Sequence, residues 1–129
     1  MKHHQISYRV SGDGETWSIC DSIDEVTDYS RAPYTGIAIQ FFYAKSEITS
    51  MMEFVLKMED HCRKLAEYVQ KEGLILSPKV SLHRRAWNNE TDYVGDIAVY
   101  VSCEQEGPIA AAKKLQIAAA KFLAEVNMG

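Results

Sequence analysis

One long amphipathic segment, lying between two strand-like segments, limits the fold more than any other feature of the sequence. Across residues 47–72, apolar side chains recur with the spacing of one helix face. These positions are Ile48, Met51, Met52, Val55, Leu56, Cys62, Leu65, Ala66 and Val69. Ser46, or Ser50 with Glu53 three residues later, offers an N-cap, and Gly73 stands where a helix C′ residue is expected. The sequence therefore predicts a long helix that buries one face.

Strand patterns flank this helix on both sides. Residues 35–44 are apolar on both faces, which is typical of a central strand. Residues 79–87 and 93–103 alternate between apolar and polar side chains, and a polar turn joins them. A strand, a long helix and a returning strand favour a right-handed crossover with parallel flanking strands. The last two strands are then expected to form a hairpin.

An N-terminal hairpin and a C-terminal helix complete the predicted elements. Apolar and polar residues alternate along the first strand, the turn Gly12-Asp13-Gly14 follows, and residues 15–20 are expected to return. That pairing would bring Tyr8 close to Trp17. Ser22 and Glu25 resemble a capping box for one short helix. The inner face of the last helix, which starts near a proline, is predicted to carry Ala111, Ala112, Leu115, Ala118, Ala119, Phe122, Leu123 and Val126.

These elements predict a single α+β domain over residues 1–129, with a mixed or antiparallel sheet and two main helices on one face. Their order is that of a ferredoxin-like split βαβ unit without its closing C-terminal strand. We expect the N-terminal β-hairpin to take that edge of the sheet. The fold class is thus a ferredoxin-like variant.

Composition excludes several classes of protein. The chain is 47% apolar and 25% charged, as ordinary globular domains are. A net charge of −4 makes nucleic acid an unfavoured partner. Three widely spaced cysteines favour neither a disulfide framework nor a zinc site. The longest apolar stretch is too short for a membrane span, and the N-terminus lacks a signal-peptide pattern. We expect a soluble, cytoplasmic protein without cofactor or metal.

The most informative polar cluster lies on one predicted strand. His83, Arg85 and Trp87 should point to one side of that strand, and Arg84 to the other. An arginine beside an indole can hold a carboxylate or phosphate against a stacking wall. The competing interpretation is a solvated strand face that discourages edge pairing. Tyr100, expected on the wet face of its strand, joins this set as a candidate binding residue.

Two further motifs favour structural interpretations. Adjacent helix residues point about 100° apart, so His61 and Cys62 should not face each other as base and nucleophile. We interpret Cys62 as a small core residue and His61 as a boundary residue. Met51, Met52 and Met58 fit either an adaptable binding surface or ordinary core packing, and core packing is the commoner role.

The sequence supports two functional hypotheses from different classes. The first is a small non-enzymatic interaction or regulatory module, a homodimer or a partner of another protein, that uses a sheet face or edge. The second is a binding protein or enzyme for a small anionic or aromatic ligand, with a pocket between sheet and helices. His83, Arg84, Arg85, Trp87 and Tyr100 would carry the binding in both, and no catalytic residue is assigned.

Overall fold

The computed structural model describes residues 1–128 and shows an α+β fold with a six-stranded antiparallel sheet and three helices. The strands are β1 (His3–Ser11), β2 (Ser18–Cys20), β3 (Tyr34–Ala44), β4 (Ile75–Leu76), β5 (Leu82–Asn88) and β6 (Asp92–Ser102). The helices are α1 (Ile23–Val26), α2 (Met51–Lys71) and α3 (Pro108–Met128). Short 3₁₀ turns cover Thr27–Tyr29 and Lys45–Glu47. No helix within residues 1–128 is long and apolar enough to cross a membrane.

The sheet has the order β2-β1-β3-β6, with β4 and β5 following each other along the far side of β6. Every strand pair is antiparallel. Because β3 and β5 are both antiparallel to β6, they run in the same direction, and α2 connects them. The hairpin of β1 and β2 forms the opposite edge of the sheet, through the long pairing of β1 with β3.

The sheet and the two long helices contribute side chains to one hydrophobic core. Helix α2 packs against β5, β6 and α3, and α3 also packs against β3. Large buried side chains from the sheet and both helices meet there, among them Phe41, Phe54 and Phe122. The alanines predicted for the inner face of α3 are buried, which lets this helix approach the sheet closely. Apolar burial of this extent is the main force that stabilises the fold.

Helix α2 starts later than the first predicted position, because Ser50 and not Ser46 is its N-cap. The Ser50 hydroxyl accepts a hydrogen bond from the Glu53 N–H at 3.1 Å, and the Glu53 carboxylate accepts from the Thr49 N–H at 3.0 Å. The backbone at Ile48 and Ser50 is extended, which separates the preceding 3₁₀ turn from the helix. Gly73 follows the helix with φ +83°, as a C′ glycine does.

The buried face of α2 differs from the predicted stripe. Met52 is 67% exposed and Leu56 is 56% exposed, whereas Phe54, Met58 and His61, which the stripe omitted, are buried. The helix rests on β5 and β6 and against α3, so these contacts decide which of its apolar positions face inward. Because β5 is the last strand on its side, the Met52 and Leu56 side chains have no further strand to cover them.

The N-terminal hairpin is also shorter than predicted. Its return strand begins at Ser18, because the Asp13 carboxylate accepts hydrogen bonds from the N–H groups of Glu15 and Thr16 and holds the preceding residues in a loop. Tyr8 therefore pairs with Cys20 and not with Trp17. The capping box expected at the first short helix is incomplete, since its serine makes no side-chain cap bond.

Strand β5 likewise begins three residues later than expected. The Ser77 N–H donates to the Tyr100 carbonyl, and the Ser81 carbonyl accepts from the Tyr100 N–H, both at 2.8 Å. Both bonds use the backbone of one β6 residue, so the segment between the two serines, which contains Pro78, leaves the sheet. The regular strand then runs from Leu82.

Candidate interaction surface

Strand β5 places three of the predicted site residues on the side of the sheet that faces away from α2. His83 and Arg85 line a depression on that side, which we call the open face. The Arg85 guanidinium lies 4.4 Å from the centre of the Trp87 ring, and its Nη2 donates to Asp96 Oδ2 at 2.9 Å. The arginine–indole contact expected from the sequence is therefore present. The same guanidinium is already shared with a carboxylate from β6.

Arg84 projects to the opposite side of β5, as its place in the strand predicts. Its Nε lies 3.4 Å from the carboxylate of Glu59 on α2, and both side chains are about half exposed. Solvent screens an ion pair of this kind, so it contributes little to stability. Arg84 and Arg85 therefore belong to two different surfaces that share one strand.

Tyr100 is on the predicted face but is not exposed there. Only 9% of it is accessible, because the ring of Trp17 lies 4.3 Å from its own ring, centre to centre. Burial raises the pKa of the Tyr100 hydroxyl. The residue opposite on β3 is Gly36, and a Cβ there would come within 2.5 Å of the tyrosine ring. Tyr100 is thus a covered residue, which corrects the exposure expected from its strand position; its role in binding stays a prediction.

The middle of the open face is a depression of about 470 Å³. Ala38 and Ala98 are paired across β3 and β6 and line it together with side chains of the neighbouring strands. Arg9 borders it on the β1 side, where its guanidinium donates to Ser7 Oγ at 2.6 Å. Small residues therefore lie in the centre of the depression and polar groups at its rim.

The outer edge of β5 is the second distinctive feature. Within residues 1–128, β5 pairs with β6 and with no other strand. At the start of β5, the Ser81 carbonyl accepts a hydrogen bond from the Tyr100 N–H. At its end, the Asn89 N–H donates to the Asp92 carbonyl. Antiparallel strands alternate between residues bonded inward and residues facing outward. The even-numbered residues of β5 accordingly turn their N–H and C=O groups toward solvent.

An apolar strip of α2 runs beside this edge. Val55 and Met58 line a groove of about 440 Å³ together with residues 82–86 of β5. Met52, Val55 and Leu56 lie on one side of the helix at i, i+3 and i+4 spacing, and we call them the α2 strip. Their apolar character was visible in the sequence. Their exposure was not, because it depends on β5 being an edge strand.

The His61–Cys62 pair is held in the core by separate partners. His61 Nε2 is 3.0 Å from the Tyr43 hydroxyl, and the Cys62 thiol faces the carbonyl groups of His83 and Ala98 at 3.6 and 3.8 Å. Desolvation raises the pKa of Cys62 and lowers the pKa of His61 to about 4. A buried thiol with a raised pKa is a weak nucleophile. His61 is 5% exposed, so it is a core residue and not the boundary residue that the sequence predicted.

Within residues 1–128, no group of three or more histidine, cysteine, aspartate or glutamate side chains lies close enough to hold a metal ion. No protein-family model, curated protein or solved structure matches the chain. Any assignment of function therefore starts from the open face, the free edge of β5 and the α2 strip.

Proposed function

We propose that this chain is a small, non-enzymatic interaction module that self-associates as a homodimer through the β5 side of its sheet. The observation that supports this most directly is the free edge of β5 beside the exposed Met52 and Leu56 side chains. A free strand edge and an exposed apolar strip each favour association with another chain. Here they are adjacent, so one partner can cover both.

We further propose that the fold is a ferredoxin-like variant in which β1 takes the place of the missing closing strand. The neighbour order β1-β3-β6-β5 and the connection of β3 to β5 through α2 support this. The contacts of α2 with β5 and β6, and of α3 with β3 and α2, support two main helices on one face. In such a fold the opposite sheet face and the β5 edge are the surfaces left for a partner. Three buried free cysteines fit the reducing cytoplasm expected from the sequence.

The energetics favour a dimer that depends on concentration. Burying an exposed Leu or Met side chain stabilises by about 1.5–3 kcal/mol, and a symmetric contact would bury Met52 and Leu56 from both copies. Association costs about 4–15 kcal/mol in lost freedom of motion. Burial of the α2 strip alone therefore roughly offsets the cost of association. Backbone hydrogen bonds along the β5 edge would add the further free energy that makes the dimer stable.

Light scattering coupled to size-exclusion chromatography, across a wide range of protein concentration, tests the proposal. We expect the wild-type chain to reach dimer mass and Leu56→Glu to stay monomeric, because the charge would be buried in the contact. Ile117→Glu is the matched control, since Ile117 is another exposed helical residue, 47% accessible, and lies on α3. A wild-type chain that stays monomeric at every concentration, or a loss of dimer in both variants alike, would contradict the proposed contact.

A second candidate function is binding of a small anionic aromatic molecule on the open face. The observation that favours it is the central depression, with Arg9, His83 and Arg85 at its rim and the Arg85–Trp87 contact beside it. The space between sheet and helices is filled by core side chains, so the open face is the better place for such a ligand. Protein partners other than a second copy would use the same surfaces.

Titration with benzoate and with inorganic phosphate, followed by tryptophan fluorescence, tests this candidate. We expect Arg85→Ala to weaken benzoate binding at least tenfold, because the guanidinium would pair with the carboxylate while Trp87 stacks on the ring. Arg31→Ala is the control, since Arg31 is exposed and lies outside the depression. Equal affinity in wild type, Arg85→Ala and Arg31→Ala would exclude the role of Arg85.

A further inference from the structure

We infer that two copies pair their β5 strands antiparallel around a two-fold axis at Ala86, which makes one continuous sheet with the two α2 helices side by side beneath the junction. This inference rests on the proposed self-association and adds its geometry. It assigns the occupant of the β5 edge as a second copy of this chain.

The backbone of β5 fits such a pairing. Leu82, Arg84, Ala86 and Asn88 face outward, because Ser81 and Asn89, the odd-numbered residues at the two ends, bond to β6. With the axis at Ala86, the outward N–H of Ala86 meets the outward C=O of its symmetry mate. Arg84 and Asn88 of the two copies then form the flanking pairs. Three outward residues, Arg84, Ala86 and Asn88, thus gain the ladder partners that the single chain leaves in water.

Charge disfavours two alternative registers, those with the axis at Arg84 or at Arg85. An axis at Arg84 places the two Arg84 side chains opposite each other and brings His83 opposite Arg85. An axis at Arg85 places the two Arg85 side chains opposite each other. Like charges directly opposite on adjacent strands are destabilising. With the axis at Ala86, Arg85 faces the partner's Trp87, and Arg84 faces the partner's Asn88. Every arginine then meets an aromatic or neutral residue, and a cation–π contact becomes available across the junction.

The helices fit the same arrangement. Helix α2 contacts both β5 and β6, so its axis lies between these strands. With strands about 4.8 Å apart, the two α2 axes would lie about 10 Å apart across the junction. Packed helices are separated by about 8–10 Å, so the two helices would be in contact without rearrangement.

Contacts between α2 and β5 show which residue of α2 lies next to the proposed two-fold axis. Asn88 lies against Met51, with Nδ2 3.7 Å from Sδ, and Arg84 lies against Glu59. Ala86, midway between them on the strand, is therefore level with Val55, midway on the helix, and the two line one groove. A two-fold axis there brings the α2 strips of the two copies against each other.

Cysteine cross-linking tests the register. In Ala86→Cys, the two introduced thiols would lie on residues whose Cα atoms are about 5.5 Å apart, within the range that a disulfide spans. We expect mild oxidation to convert most of this variant to covalent dimer. Arg84→Cys and Asn88→Cys should each stay monomeric on a non-reducing gel, because their symmetry mates are about 13 Å apart along the strand. An equimolar mixture of the two should cross-link. The three native cysteines are buried, so the wild-type chain serves as the control for cross-linking that does not involve an introduced cysteine.

The outcomes separate this inference from the proposed function. A chain that is dimeric by light scattering but cross-links through Arg84→Cys or Arg85→Cys alone, and not through Ala86→Cys, would overturn the register and leave self-association intact. Dimer mass without cross-linking in any β5 variant would move the contact away from this edge. A monomer at all concentrations would overturn both. Circular dichroism of each variant confirms that the fold is retained, so that a negative result is interpretable.

Discussion

The hydroxyl of Tyr43 on β3 lies 3.0 Å from Nε2 of His61 on α2, in the core between sheet and helices. The imidazole is surrounded by the rings of Phe41, Phe122 and Tyr43, and its Nδ1 has no hydrogen-bond partner within the described residues. A buried polar group that lacks a partner costs free energy, and a buried charge without one costs more. This pair therefore ties the stability of the fold to pH.

Stability should fall between pH 6.5 and about pH 4. Burial first, and the Lys57 charge second, lower the pKa of His61 from 6.5 to about 4 in the folded chain, against the opposing charge of Asp60. The unfolded chain therefore binds the proton first as pH falls. The stabilisation is fully present above pH 6.5 and is lost progressively on the way down to pH 4, by about 3 kcal/mol in all. Urea denaturation at several pH values measures it.

The variant His61→Phe isolates this effect. It should remove the loss of stability between pH 6.5 and 4 while leaving any change at lower pH, where carboxylates such as Asp13, whose pKa is lowered to about 2, become protonated. If His61→Phe keeps the same slope of unfolding free energy against pH as the wild type, His61 is not the titrating group.

Removing only one partner of the Tyr43–His61 pair should cost more than removing both. In Tyr43→Phe, the Nε2 atom loses its hydrogen bond, and both imidazole nitrogens are then without partners, so we expect about 1–3 kcal/mol of destabilisation at pH 7. The double variant Tyr43→Phe/His61→Phe replaces the pair by apolar rings and should lie closer to the wild type. Chemical denaturation of all four proteins closes the double-mutant cycle. Additive effects would show that the hydrogen bond carries no coupling energy.

The sequence predicted the α+β class and the inner face of α3 better than it predicted the buried face of α2. Helix α3 was predicted well, since its small and large apolar residues fall on one stripe, which is buried. Helix α2 has apolar residues on more than one side. Phe54 and Met58 are buried while Met52 and Leu56 are exposed, and only the end of the sheet at β5 decides between them.

The candidate site shows the same limit. The alternation of β5 correctly placed Arg85 beside Trp87 and Arg84 on the other side. The alternation of side chains along β6 correctly placed Tyr100 on the open face. Its ring is covered by Trp17, which lies in a loop where the Asp13 carboxylate accepts backbone hydrogen bonds. A contact between residues so distant in sequence leaves no periodic signal. The absence of a side chain at Gly36, which lies opposite Tyr100 on β3, leaves room for the tyrosine ring.

The two serines proposed as caps for α2 should differ sharply in their effect. Ser50 accepts from the Glu53 N–H, so Ser50→Ala leaves that donor to water and should destabilise by about 1 kcal/mol. Ser46 lies in the preceding 3₁₀ turn, and Ser46→Ala should change stability by less than about 0.5 kcal/mol. Thermal unfolding of the two variants side by side measures the difference. A larger loss in Ser46→Ala than in Ser50→Ala would place the start of the helix at the earlier serine.

Gly36→Ala should disturb the Trp17–Tyr100 contact. The added Cβ would lie 2.5 Å from Cδ1 of Tyr100 and 2.9 Å from the Val99 carbonyl oxygen, so the tyrosine ring must move, at a cost of about 1–3 kcal/mol. Because Trp17 stacks on that ring, its fluorescence should shift to longer wavelength as it becomes more exposed to water, measured with Trp87→Phe to remove the other indole. Gly12→Ala is the control, since a Cβ there meets no atom within 4 Å. An unchanged spectrum and stability in Gly36→Ala would mean that Tyr100 does not occupy this position in solution.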